Sequence, residues 1–488
     1  MCYVDLEVGS DHNPATKRFV SYYNSYIFGY YRKLIAFYNY EYMRTLLLYC
    51  LIFFVFNAQS FSQITSKEEF NNYYRLSSEK LIELYGSRGL SASCDTSDYG
   101  NYGMPMDFLG QIEVSLQKAY PVQVGRIGVL FYSLTNDTLR IWLWRQSGLF
   151  VSRARVNRNE LTAAEIALRQ SLKVDELSEG RAPQKRGASV TGSSKNKLLP
   201  LETTVRMATD LLLPPPIAQH LDGLQHLMII PEYNIGQFPF YVLRPFPNDS
   251  YLIDSVSINF IPHLCNLLNF YENKQSMIGK KIHYTPSNPL IVGNPLFSTT
   301  TAYQLPSLKG AEAEAQQVAF LLHTSPLLGK EATISAVKSN LATADLLYFA
   351  THGFYDPEKM LDGSFLAFSP DAKNTTGLWS ARDIQVQKIN ADLAILSACQ
   401  TGVGKITGGG FIGIGRAFFI AGVSNTIISL WSVDDKSAQQ LMITFMKEIQ
   451  KDDYFFPASH LRAAILAYKK KDPDPAHWAP FMDFGFPF

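Results

Sequence analysis

Short apolar runs bounded by turn residues alternate, over most of the chain, with segments whose apolar positions return at helical spacing. Ile127–Tyr132 and Thr138–Trp144 are β-rich and separated by Asn136-Asp137, which predicts a hairpin. A helix over Ala163–Ser171 follows, then further apolar runs at Leu224–Ile230 and Leu252–Ile261. Pro289–Gly293, Leu346–Ala350, Leu393–Ser397 and Thr426–Leu430 read as buried strands, because each is short, apolar and closed by turn residues. Helices over Ala311–Leu322 and Thr333–Asn340 lie between them, and Leu441, Met442, Phe445, Met446 and Ile449 mark one face of another. This βαβ series predicts an α/β fold with a mostly parallel sheet flanked by helices. Ahead of it, residues 63–119 mix charges with Leu and Tyr at approximate helical spacing, a helical lead-in.

Two strings sit directly beyond predicted buried strands: Ala350-Thr351-His352-Gly353 and Ser397-Ala398-Cys399-Gln400-Thr401-Gly402. The carboxyl edge of an open α/β sheet is where ligands bind, so neighbouring strands would bring imidazole and thiol to one crevice. A cysteine attacks as its thiolate, which a nearby imidazole makes accessible near neutral pH. A catalytic Cys in a short motif, with its His about 50 residues upstream, is also the layout of caspases.

Both strings resemble the CHAT domain, a caspase-like cysteine peptidase family related in fold to separase. The resemblance extends to Gly413-Ile414-Gly415-Arg416-Ala417-Phe418-Phe419, Ala421-Gly422, Ser429-Leu430-Trp431-Ser432-Val433-Asp434-Asp435 and His477-Trp478-Ala479-Pro480-Phe481. Upstream, Ile229-Ile230-Pro231 and Phe238-Pro239-Phe240 are similar to the family's N-terminal half. One departure is Gly409, which stands where many members carry Glu in Gly-Glu-Gly. The resemblance implies a caspase-like fold in which an inactive α/β lobe, residues 120–285, precedes a catalytic lobe, residues 286–488. It further implies His352 as general base or acid, Cys399 as nucleophile, and the backbone amides of Gly353 and Cys399 as the oxyanion hole.

The chain has 488 residues, a formal charge of +1 and 18% charged residues spread along it, so no electrostatic footprint for nucleic acid emerges. Met43-Arg44 followed by the apolar run Leu46–Phe56 has the charged start and short core of a secretory signal, too short for the roughly 20 residues of a membrane span. Residues 43–62 are therefore expected to be a signal peptide, with cleavage before Gln63 and export, and residues 1–42 an upstream extension without a fold. Without such processing the protein is expected in the cytoplasm. The five cysteines are Cys2, Cys50, Cys94, Cys265 and Cys399, which is no disulfide framework. No His/Cys/Asp/Glu spacing fits zinc, and no metal or cofactor is expected. Gly402-Val403-Gly404-Lys405 fails as a phosphate loop because Lys405 is followed by Ile406 and Cys399 stands where the first Gly belongs.

Asp434 and Asp435 follow the strand after the nucleophile's helix. Pointing inward, either would favour Arg or Lys before the scissile bond; pointing along the chain, either caps the helix marked by Leu441. Residues 178–196 are polar and basic, an exposed, mobile loop with Lys185-Arg186 at its centre, a candidate self-cleavage site for a protease preferring basic residues. His220, His226, His263, His323 and His460 lack motif context and read as structural. The expected activity is endoproteolysis of a protein substrate; the main alternative is a catalytically silent or partner-activated binding or scaffold protein with the same fold, the partner being an activating protein. Acyl transfer at the same dyad is the other alternative.

Overall fold

The structure, a computed structural model, describes residues 66–74, 107–119, 124–174, 184–185, 199–262, 284–356, 359–398, 405–407, 410–451 and 456–486. All five cysteines, Arg186, Gly409 and residues 1–62 lie outside the described residues. In chain order the first strands are β1 (Ile127–Thr135), β2 (Thr138–Arg145), β3 (Gly148–Arg155), β4 (Gln184–Lys185), β5 (His226–Ile230), β6 (Ser257–Phe260), β7 (Pro289–Pro295), β8 (Tyr303–Gln304) and β9 (Leu327–Gly329). They continue as β10 (Leu346–Ala350), β11 (Gly353–Phe354), β12 (Phe365–Ala367), β13 (Leu378–Ser380), β14 (Leu393–Ser397), β15 (Lys405–Thr407), β16 (Gly410–Ile412), β17 (Asn425–Ser429) and β18 (Phe481–Gly485).

Eleven strands form one sheet in the order β3-β2-β1-β5-β6-β18-β17-β14-β10-β7-β9. Neighbours run parallel except in the β1-β2-β3 meander and between β17 and β18. The mostly parallel, helix-flanked sheet that the apolar pattern predicts is thus the fold of the chain. Asn136 and Asp137 both adopt left-handed φ, 50° and 54°, giving the two-residue turn whose twist suits a hairpin. The strands of residues 120–285 and 286–488 belong to the same sheet, and one continuous apolar core runs from Leu130 to Phe484 across both.

β1 is buried over almost its whole length because both faces are covered. Leu130, Tyr132 and Leu134 join the main core, whereas Val129 and Phe131 meet Phe70, Tyr74, Ile112 and Leu116 from the lead-in helices 66–74 and Phe108–Ala119. The predicted helix over Ala163–Ser171 begins earlier, at Arg158, because Asn157 and Glu160 form a reciprocal capping box. Within the Leu252–Ile261 run, Leu252–Ser255 makes one helical turn before β6.

The two halves of the sheet are joined by the C-terminal strand. β18 is antiparallel to β17 and parallel to β6, and at Gly485 (φ 148°) an added Cβ would stand 2.2 Å from the Ser424 carbonyl oxygen. Glycine alone allows that approach. Asp483 at the centre of β18 is buried, accepts from Asn425 Nδ2 at 3.1 Å and is pushed up to about 7, chiefly by burial. Within residues 178–196, Gln184 and Lys185 pair antiparallel with Gln304 and Tyr303. The rest of that expected loop lies outside the described residues.

Candidate active site

β10 and β14 are adjacent and parallel, with Ala350 opposite Ser397 at their carboxyl ends. His352 stands two residues beyond the first edge and Cys399 two beyond the second, so the motif positions share one end of the sheet. Burial explains this register: all five residues of β10 and four of β14 are buried, and a one-residue slip would move every side chain to the wrong face.

Beyond β10 the chain turns into the small sheet β11-β12-β13. Ala367 N–H donates to the His352 carbonyl at 2.9 Å and Thr351 Oγ1 donates to the Ala367 carbonyl, which together fix the backbone around the imidazole. His352 is fully buried, with the Phe297 ring 4.8 Å away. Its Nε2 lies 2.7 Å from the Pro306 carbonyl oxygen. A carbonyl only accepts, so Nε2 carries the proton and, in the neutral ring, Nδ1 holds the lone pair. Among the described residues this buried Nδ1 has no hydrogen-bond partner. Burial pulls the His352 pKa below its ordinary value, while the Pro306 carbonyl and Asp435 act in the opposite direction. The ring is therefore neutral at pH 7, with a base nitrogen unspent.

Gly353 is buried and opens β11 opposite Leu366. On the neighbouring strand, Ala398 is buried and its carbonyl accepts from Ser429 Oγ at 2.7 Å, so the segment entering position 399 is anchored from β17. Cys399 itself lies outside the described residues.

The two aspartates separate cleanly. Asp434 is the N-cap of the Asp435–Ile449 helix and accepts from Ser437 N–H at 3.0 Å. Asp435 instead lines a cavity of about 50 Å³, together with Thr351, Ser397, Ala398 and Glu314. It packs on Gly310, where an added Cβ would come within 2.5 Å of the Asp435 Cβ. The capping expectation thus describes Asp434, while Asp435 is exposed at the wall of this cavity.

Two contributors escape a reading by residue type. The Pro306 carbonyl that orients His352 is backbone, and no side-chain signature announces it. Glu314, on the Lys309–Leu321 helix, is 3% exposed and accepts from Tyr348 Oη at 2.6 Å. Its pKa is pushed up to about 7, first by burial and also by Asp435, against hydrogen bonds from Ser397 and Tyr348. The available signal is an acid among Ala311, Ala315 and Val318 on the helix's inward face. Among the described residues, no group of three or more His, Cys, Asp and Glu is placed to hold a metal ion, and no helix is long and apolar enough to cross a membrane.

The site is thus an α/β sheet edge carrying a buried histidine, with its neighbouring strand leading to a cysteine. The CHAT domain sequence model matches residues 202–485, more than half of the chain, and the protein belongs to the CHAT domain family. Tetratricopeptide repeat protein 28 of Homo sapiens is 23% identical over 328 residues, covering 58% of this chain and 13% of that protein. The same protein of Mus musculus is 22% identical over 349 residues, covering 62% and 14%. This chain therefore spans about one-eighth of the length of these relatives. Two crystal structures of the Saccharomyces cerevisiae separase–securin complex align with 81% of this chain and 32% of that chain, at 10% identity and TM-scores of 0.45 and 0.47.

Proposed function

We propose that the protein is a cysteine endopeptidase using His352 and Cys399. The observation that carries this reading is the buried, neutral imidazole whose Nε2 is committed to the Pro306 carbonyl while Nδ1 is left as an acceptor at the sheet edge. Nδ1 takes the Cys399 proton, and the imidazolium is stabilised by the Pro306 carbonyl and Asp435. The thiolate attacks the scissile carbonyl carbon, forming the C–S bond, and the oxyanion is met by the amides of Gly353 and Cys399. The imidazolium then protonates the leaving amine as the C–N bond breaks. Water, deprotonated by the same nitrogen, releases the acid from the thioester.

A preference for Arg or Lys before the scissile bond is supported by Asp435 in the cavity beside Ala398. Self-processing at Lys185-Arg186 is supported by the pairing of β4 with β8, two residues ahead of the Pro306 carbonyl that holds His352. The natural substrate is a protein, and the exported form begins at Gln63, a start that the mass of the protein from its host checks directly.

Protein from Gln63 onward, incubated with a peptide library and an acyloxymethyl-ketone probe, tests the reading. Cleavage and labelling lost in both Cys399→Ala and His352→Ala establish the dyad. Labelling without cleavage in the unaltered protein would favour a partner-activated scaffold, and a transferred rather than hydrolysed acyl group would identify a transferase.

A further inference from the structure

Gly310 and Glu314 lie four residues apart on the Lys309–Leu321 helix and therefore share one face, with Cβ positions about 6 Å apart at that spacing. Asp435 rests on Gly310: an added Cβ there would meet Asp435 Oδ2 at 2.7 Å and Cγ at 2.8 Å. The Asp435 carboxylate thus lies against Gly310, it acts electrostatically on Glu314, and both residues line the cavity walled by Ser397 and Ala398. Two acids from two helices line one small space beside the strand that leads to Cys399, Glu314 buried and Asp435 exposed.

Burying a carboxylate is costly without a compensating partner. Tyr348 Oη and Ser397 supply hydrogen bonds to Glu314, but a carboxylate offers about four acceptor sites, and two hydroxyls leave capacity for a cation. We propose that Glu314 is a second specificity-determining residue of this cavity, a buried carboxyl group that binds the same cationic substrate side chain as Asp435. This rests on the peptidase reading and on the cavity receiving the residue before the scissile bond.

A cation-binding Glu314 has a pH dependence that a purely structural Glu314 lacks. The groups facing Glu314 are Tyr348 from β10, Ser397 from β14 and Asp435 from the Asp435–Ile449 helix, while His352 in turn feels Asp435. Tyr348 is raised well above its ordinary value and stays neutral. Glu314, pushed up to about 7 by burial first, changes charge near neutrality. Entry of a guanidinium or ammonium favours its ionised form and releases a proton, so cation binding strengthens as pH rises from 6 to 8.

The experiment compares two peptide aldehydes that differ only in their final residue, arginine or its uncharged isostere citrulline, binding to the full chain at pH 6, 7 and 8. The unaltered protein prefers the arginine aldehyde, and the preference grows with pH. Glu314→Gln keeps the size and an acceptor for Tyr348; it lowers the preference about tenfold, the scale of one charge-assisted contact, and flattens the pH dependence. Gly310→Ala, which displaces Asp435 and leaves the Tyr348 contact in place, lowers the preference but preserves its rise with pH. Labelling of the thiol by a neutral haloacetamide confirms a folded site in each variant. An undiminished preference in Glu314→Gln, or a reduced one that retains the rise with pH, overturns the proposal. Equal binding of the two aldehydes by the unaltered, labelled protein overturns it while leaving the peptidase reading standing. Absence of both binding and labelling overturns the two together.

Discussion

His226 and His352 are both buried, at 3% and 0% exposure, yet they sit in opposite chemical situations. His226, at the start of β5, has both ring nitrogens engaged: Nδ1 lies 2.9 Å from Ser257 Oγ and Nε2 lies 2.8 Å from Asn259 Oδ1. Burial pushes it down to about 3, and its partners tie neighbouring strands together. His352 has one nitrogen engaged and, among the described residues, the other without a partner. A buried pair of acids repeats the contrast. Asp483 and Glu314 are both pushed up to about 7 by burial, but Asp483 lies within the β6-β18-β17 seam and Glu314 lines a cavity. Depth alone therefore does not distinguish these settings: His352 keeps a buried nitrogen without a partner among the described residues, and Glu314 lines a cavity.

The contrast predicts opposite consequences for the two histidines. His352→Ala reduces peptide turnover about 10³-fold, within the range for losing a general base, while the thermal midpoint shifts far less than for His226→Ala. His226→Ala costs about 3 kcal/mol of stability, measured by urea unfolding, because it leaves Ser257 and Asn259 short of partners and opens a cavity. Its folded fraction retains thiol labelling. A stable His226 variant, or a His352 variant that turns over normally, breaks the comparison.

The seam also predicts a pH signature. Asp483 has a folded value near 7, raised above its free value of 3.8, so its contribution to stability is complete below pH 4 and is lost as pH rises through 7. Glu314 adds a parallel slope starting from 4.5. His226 has the reverse sign: depressed from 6.5 to about 3, it contributes stability fully above 6.5 and loses it as pH falls toward 3. Asp483→Asn therefore makes the decline in urea midpoint between pH 4 and 7 shallower without abolishing it. An unchanged slope would remove Asp483 from the account. The smallest expected effect belongs to Asp434→Ala, which costs about 1 kcal/mol as a lost helix cap and leaves the preference for basic residues intact, whereas Asp435→Asn erodes that preference. Kinetics with matched arginine and citrulline substrates separate the two.

The sequence made the local signals legible. Apolar, turn-bounded β10 and β14, the Asn136-Asp137 hairpin and the inward face of the Asp435–Ile449 helix all declare themselves within a few residues. The motif histidine follows from its strand. What escaped depends on distant partners. β18 carries an acid at its centre, which strand propensity disfavours, and only Asn425 and the flanking strands make it a strand. β4 is two polar residues long and exists through pairing with β8. Pro306 acts through its carbonyl, and Glu314 occupies a position whose spacing calls for an apolar residue. The boundary between residues 120–285 and 286–488 marks no break in the sheet, because β18 returns from the end of the chain to join the halves.

The most direct test of the central claim is the pH dependence of alkylation at Cys399, followed by peptide mapping with a neutral haloacetamide in the unaltered protein and in His352→Ala. With Nδ1 accepting the thiol proton, the unaltered protein reacts with a midpoint well below the roughly 8.5 of a free cysteine, and His352→Ala moves the midpoint up to that value and slows reaction at pH 7. Superimposable profiles in the two proteins would contradict the claim that His352 activates Cys399.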